Sequence, residues 1–128
     1  MQSSKTDGSL ARLTVPAEPA YARSVRMLAA NLAVLAGMSL DEVEDVRMAA
    51  EEGFVWCCAT RPGTCEITFD IEPGAISIDY VLGSAELPED DQTSAYAELI
   101  LTAVCDECVM DREEGVLRLR KGADDADA

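Results

Sequence analysis

Apolar positions recur at helical spacing in three stretches of this chain and alternate at strand spacing in five others. The longest stretch is residues 39–60, SLDEVEDVRMAAEEGFVWCCAT, where Val43, Val46, Ala50, Gly53, Phe54 and Cys57 form one buried helical stripe. Ser39 and Glu42 make a Ser-x-x-Glu capping box at its start. Arg61-Pro62-Gly63 ends it, because proline cannot continue a helix and glycine frees the chain to turn. Upstream, Glu18-Pro19 opens an alanine-rich helix with Val25, Leu28, Leu32 and Leu35 as its buried stripe. Arg23 and Arg26 fall on its solvated face, and Gly37 suits the left-handed residue past its end. Residues 94–107 give a third helix, with Ala95, Leu99 and Ala103 on one face and Ile100, Val104 and Cys108 widening it.

The strand pattern is strictest in residues 65–71, with Cys65, Ile67, Phe69 and Ile71 on one face. A Pro73-Gly74 turn leads to residues 75–82, where Ile76, Ile78, Tyr80 and Leu82 share a face. Residues 10–15 read as a first strand closed by Pro16, or as an extended arm without a sheet partner. Residues 108–110 and 116–120 flank an acidic turn as a terminal hairpin. This order predicts an α/β fold of the α+β two-layer type, a mixed, mostly antiparallel sheet covered on one face by about three helices. Residues 1–9 form a flexible N-terminus, 10–121 a single domain and 122–128 an acidic tail.

Composition narrows the function classes. A formal charge of −15 excludes nucleic acid as a partner, since phosphates would be repelled and no basic stripe compensates. The same charge fits a basic protein partner, or serves solubility alone. No apolar run is long enough to span a bilayer and no basic-then-apolar leader opens the chain, so the expectation is a cytoplasmic protein without membrane contact. The absence of histidine removes Ser-His and Cys-His nucleophilic schemes and mixed zinc sites. The five cysteines, an odd number in such a chain, suggest reduced thiols.

Residues 40–57 resemble the motif-bearing helix of the anti-sigma-factor serine kinases, in the GHKL superfamily of ATP-binding domains. The family pattern, roughly Ala-Val-x-Glu-Ala-x-x-Asn-Ala, meets Ala49-Ala50-Glu51-Glu52-Gly53-Phe54-Val55-Trp56-Cys57 here. The order of elements is similar along almost the whole chain, and Cys105-Asp106-Glu107-Cys108-Val109 resembles the family's Val-Asp-Glu-Val and the strand after it. The resemblance implies a histidine-kinase-like ATPase fold. It also implies that such a domain dimerises, sequesters a sigma factor, and is countered by an antagonist that it phosphorylates on serine.

The nucleotide-binding residues of that family do not match. Glu52 falls on the family's glutamate, the vestigial general-base candidate, but it reads equally as a surface glutamate beside Glu51. Trp56 stands at the magnesium-binding asparagine and has no hard oxygen to offer. Leu82 stands at the adenine-facing aspartate of Asp-x-Gly-x-Gly, with Ser84 at its first glycine. Ala95 and Ala97 replace both glycines of Gly-x-Gly-Leu, and Glu98, in place of the leucine, would repel a phosphate. Shifting the register by one residue recovers neither the asparagine nor the aspartate, since Val55 and Val81 then take those positions. Residues 83–93, about ten in all, are too short for an ATP lid.

The expected function is therefore an anti-sigma-like regulator that binds a sigma factor or an anti-sigma antagonist with no cofactor, and the resemblance implies a homodimer. The alternative is a divergent serine/threonine protein kinase using ATP and magnesium. A second alternative is a metal-binding module built on Cys105 and Cys108 with help from Cys57, Cys58 or Cys65. Cysteine is also a common small core residue, and Cys57, Cys65 and Cys108 all lie on apolar faces. Trp56, Tyr80 and Tyr96 either line the former nucleotide pocket or fill the core.

Overall fold

Chain direction dictates the sheet. In the computed structural model, which describes residues 9–84 and 92–122, β1 (Ser9–Pro16) leads through two helices, α1 (Ala22–Leu35) and α2 (Leu40–Ala59), into β2 (Thr64–Glu72). Two successive helices bring the chain back to the end where β1 finished, so β2 runs antiparallel to it. A hairpin gives β3 (Ala75–Val81), α3 (Gln92–Val104) carries the chain back, and β4 (Glu107–Asp111) and β5 (Val116–Gly122) close the domain. The sheet order is β1-β2-β3-β5-β4, and every neighbouring pair is antiparallel. The sequence suggested a mixed sheet. β4 does run parallel to β3, but β5 lies between them, so no parallel pair forms among the described residues. The sequence readings of a flexible N-terminus at 1–9, a shortened lid at 83–93 and an acidic tail at 122–128 fall largely outside the described residues.

α2 forms as its sequence requires. Ser39 Oγ accepts from the Glu42 amide at 3.2 Å, and the Glu42 carboxylate accepts from the Ser39 amide at 2.8 Å, a reciprocal cap worth about 1 kcal/mol. Its buried residues are Val43, Val46, Ala49, Ala50, Gly53, Phe54 and Cys57. At its end Arg61 is already left-handed (φ 56°), two residues before Gly63 (φ 83°), so the turn starts ahead of the glycine.

α1 is preceded by a short 3-10 turn, Pro19–Tyr21, and begins three residues later than the proline suggested. It ends in a Schellman motif: Met38 N–H donates to Ala33 O at 3.2 Å and left-handed Gly37 donates to Val34 O at 3.0 Å. Its buried face is Val25, Ala29, Leu32 and Ala33. Leu35, expected in the core, is 73% exposed; the small Ala29 and Ala33 line the face that packs on α2 instead. Arg26, expected in solvent, is half-buried and pairs with Glu51 of α2 at 3.0 Å.

α3 turns a different face inward from the one its sequence suggested. Ala97 and Leu101 are buried, whereas Ala95 and Ala103 are exposed and Leu99 is 67% exposed. Residues 95–104, AYAELILTAV, are apolar nearly all round, so the period alone does not choose a face. The helix also ends at Val104, three residues early, where the Asp106 amide donates to Arg120 O at 2.8 Å and its carboxylate accepts from Gly122 N–H at 2.9 Å.

The three helices cover one face of the sheet. Directly opposed inward pairs are Ile67 with Tyr80, Phe69 with Ile78, and Tyr80 with Leu117, and all of these side chains are buried. The other face carries Arg12, Thr68, Asp79 and Arg118 in one row across the strands. There Arg118 lies 3.2–3.6 Å from Asp79, Asp111 and Glu114, which suits a solvated surface. β5 runs past residue 120 into what the sequence suggested was tail. Lys121 turns inward opposite Ile76, and its Nζ meets Asp45 of α2 at 3.0 Å. No described helix is long and apolar enough to cross a membrane.

Candidate functional site

Of the residues that the sequence singled out, Glu52 and Trp56 lie in the C-terminal half of α2, Leu82 just past β3, and Ala95, Ala97 and Glu98 on α3. Glu52 and Trp56 are one helical turn apart on a common flank, about 100° round from Glu51, which pairs with α1. Burial, with the neighbouring Glu51 charge second, raises the Glu52 carboxyl above its ordinary value. Trp56 is half-buried against the core, and its Nε1 is buried without a hydrogen-bond partner among the described residues. Leu82 is half-buried, and its amide donates to Gly115 O at 2.7 Å. Ala95 and Glu98 are exposed on α3, while Ala97 is 1% exposed and belongs to the core. The two alanines thus face opposite ways and do not make a common cradle.

Tyr80 is core filling. It is fully buried, and its hydroxyl donates to Ala50 O at 2.8 Å across the α2–sheet interface. Gly53 makes this close approach possible, since a Cβ there would stand 2.7 Å from the Tyr80 ring. Tyr96 is 61% exposed and does not share a pocket with Tyr80.

Two residues that sequence reasoning passed over close the corner where β3 leaves the sheet. Buried Thr60, the C-cap of α2, donates its hydroxyl to Cys57 O at 2.6 Å and accepts from Gly83 N–H at 2.7 Å. Gly83 lies so close that a Cβ would overlap Thr60 O and stand 2.6 Å from Arg61 C and Pro62 N. The chain leaving β3 is thus laid on the backbone at the end of α2. Nothing in the sequence around Thr60 signals this contact. Toward the other end of α2, a small open cleft between Val46, Ala49, Ile76, Ile78, Cys105 and Leu119, edged by Arg120 and Lys121, has a volume of only about 10 Å³, far below the ~300–1,000 Å³ of ordinary ligand pockets.

The five cysteines fall into two groups. Cys57 and Cys65 are fully buried with their sulfurs 3.1 Å apart, and Cys57 also donates to Val81 O at 3.4 Å. Cys58 is half-buried beside them, its thiol pushed up to about 11 by burial, with Cys65 and Glu18 adding to it. Cys105 and Cys108 are half-buried at the α3–β4 junction. Burial pushes the Cys105 thiol up to about 12, and burial followed by Glu98 raises Cys108. Among the described residues no three histidine, cysteine, aspartate or glutamate side chains converge as metal ligands.

Comparison with known proteins adds no family. The sequence matches no protein-family model, and a search of curated proteins finds no match either. Function therefore rests on the chemistry of the residues themselves.

Proposed function

We propose that this protein is an anti-sigma-factor-like regulator that acts by protein–protein binding in a sigma-factor or partner-switching circuit, without nucleotide chemistry. The observation that carries this reading is the set of side chains at the positions where a GHKL kinase would hold ATP. Trp56 offers no oxygen to magnesium, Leu82 no carboxylate to adenine, and Ala95 and Ala97 point in different directions. The element order and the one-sided helical layer agree with the fold that the resemblance implies. Exposed Met27, Val34 and Leu35 on α1, and Leu40 and Met48 on α2, give the helical layer apolar side chains suited to a protein partner or a second copy. A cytoplasmic setting suits five unpaired thiols.

The second reading, a divergent serine/threonine kinase, draws on Glu52. Its raised carboxyl pKa is the direction a general base requires. Calorimetric titration with ATP and magnesium separates the two. The regulator reading expects no saturable heat at millimolar nucleotide, followed by capture of a sigma factor or antagonist protein on immobilised protein. Saturable, magnesium-dependent binding, lost in Glu52→Gln, would overturn it in favour of the kinase.

A further inference from the structure

The corner between α2 and β2 holds two side chains that the proposed function does not use. Cys57 lies in the last turn of α2 and Cys65 is the second residue of β2, eight positions on. We infer that Cys57 and Cys65 are an oxidative modification site, at which a hydroperoxide converts the two thiols to an intramolecular disulfide that ties the end of α2 to the start of β2.

Geometry carries the inference. The sulfurs are 3.1 Å apart, so they need close by only about 1 Å to reach the ~2.05 Å of a disulfide. Both ends are held in place: Cys65 by its pairing opposite Val15 in β1, and Cys57 by its hydrogen bond to Val81 O. Two buried cysteines serving only to fill space have no need for their sulfurs to face one another.

The pair also divides the chemistry. The hydrogen bond to Cys65, with burial second, holds the proton firmly on Cys57, and the same bond lowers the Cys65 thiol against the opposing effect of burial. Cys65, whose partner sulfur lies 3.1 Å away, is one side of the pair from which attack can start. Its thiolate sulfur attacks one oxygen of the hydroperoxide, the O–O bond breaks, and the departing oxygen takes a proton from water to leave a sulfenic acid on Cys65. Cys57 then loses its proton to the sulfenic hydroxyl as its sulfur attacks Cys65; the S–O bond breaks, water departs and the S–S bond forms. With hydrogen peroxide the sum is two thiols and one peroxide giving one disulfide and two waters.

Both thiols are closed to solvent, so the oxidant reaches them through local opening of the Arg61–Gly63 turn. Cys58 is more accessible, but its raised pKa makes it a poor nucleophile.

The test is peptide mapping of the folded protein after hydrogen peroxide treatment and N-ethylmaleimide blocking. The expected result is loss of two hydrogens per chain, three alkylated cysteines rather than five, and a cross-linked peptide joining Cys57 to Cys65 that dithiothreitol releases. Cys57→Ser and Cys65→Ser should each abolish the cross-link, with far-UV circular dichroism confirming that each variant is folded. Cys58→Ser and Cys105→Ser, which leave the pair intact, should retain it. Five alkylated cysteines after treatment, or a cross-link through Cys58, Cys105 or Cys108 in its place, would overturn the assignment.

Discussion

Replacing Gly53 by alanine should destabilise the protein, although the substitution improves local helix propensity. Gly53 sits well inside the 20-residue helix α2, where glycine→alanine alone gains roughly 0.5–1 kcal/mol. Against this, the new Cβ would lie 2.7–2.8 Å from Cε1, Cζ and Oη of Tyr80, whereas carbon contacts are comfortable at about 3.5–4.0 Å. Tyr80 has little room to yield. It is fully buried, flanked in register by Ile67 and Leu117, and tethered to Ala50 O at 2.8 Å. Overpacking of this kind costs about 1–3 kcal/mol, and a displaced hydroxyl gives up a further ~1 kcal/mol. Net destabilisation of roughly 1–3 kcal/mol should remain after the propensity gain. The assay is urea unfolding followed by far-UV circular dichroism and by Trp56 fluorescence, which also tests whether the transition is two-state. Gly53→Ala made in a Tyr80→Leu background, where the ring is absent, should lose its penalty and become neutral or stabilising, so the cycle isolates the contact. If Gly53→Ala is as stable as the parent in the wild-type background, α2 does not lie against Tyr80 as described.

Two further predictions concern the same end of the molecule. Thr60→Val keeps the β-branched shape but removes both the donor to Cys57 O and the acceptor for Gly83 N–H; it should cost about 1–3 kcal/mol in urea unfolding, with amide exchange at Gly83 accelerated most. Alkaline pH should weaken the fold, because burial raises the pKa of the Cys105 thiol to about 12 and raises the Tyr80 phenol as well. A group raised in the fold contributes stability that is full below its unfolded pKa, about 8.5 for a thiol, and lost as pH climbs toward the folded value. The Cys65 thiol, lowered in the fold, works the other way. Urea midpoints should therefore fall between about pH 8.5 and 11, and Cys105→Ala should make that fall shallower.

Most of this fold was legible because two local signals agreed wherever it was read correctly. In α2 the capping box and the 43-46-50-53-54-57 stripe point to one register, and both are present. In β2 and β3 strict alternation leaves only one face that can be buried. Where one signal was missing, the reading slipped. α3 is apolar on nearly every side, so only its packing on α2 decides that Leu101 is buried and Leu99 is not. Lys121 falls outside the last strand in the sequence reading because lysine seldom turns inward, and Asp45, 76 positions earlier, is what makes that position tenable. The site was legible in a narrower sense. Each position tied to ATP by resemblance could be tested for the oxygen or glycine that nucleotide binding needs, since that is a matter of residue type. The close approach of Gly83 to Thr60–Pro62 was not legible, because it is a contact between main chains. The same holds for the thiols. Cys57 and Cys65 could each be placed on an inward face from their neighbours in the chain, but only the turn at Arg61–Gly63 brings the two sulfurs to 3.1 Å. Residue type therefore argues against the borrowed nucleotide chemistry and leaves titration with ATP to decide it, whereas proximity created by the fold is what suggests a chemistry of this chain's own.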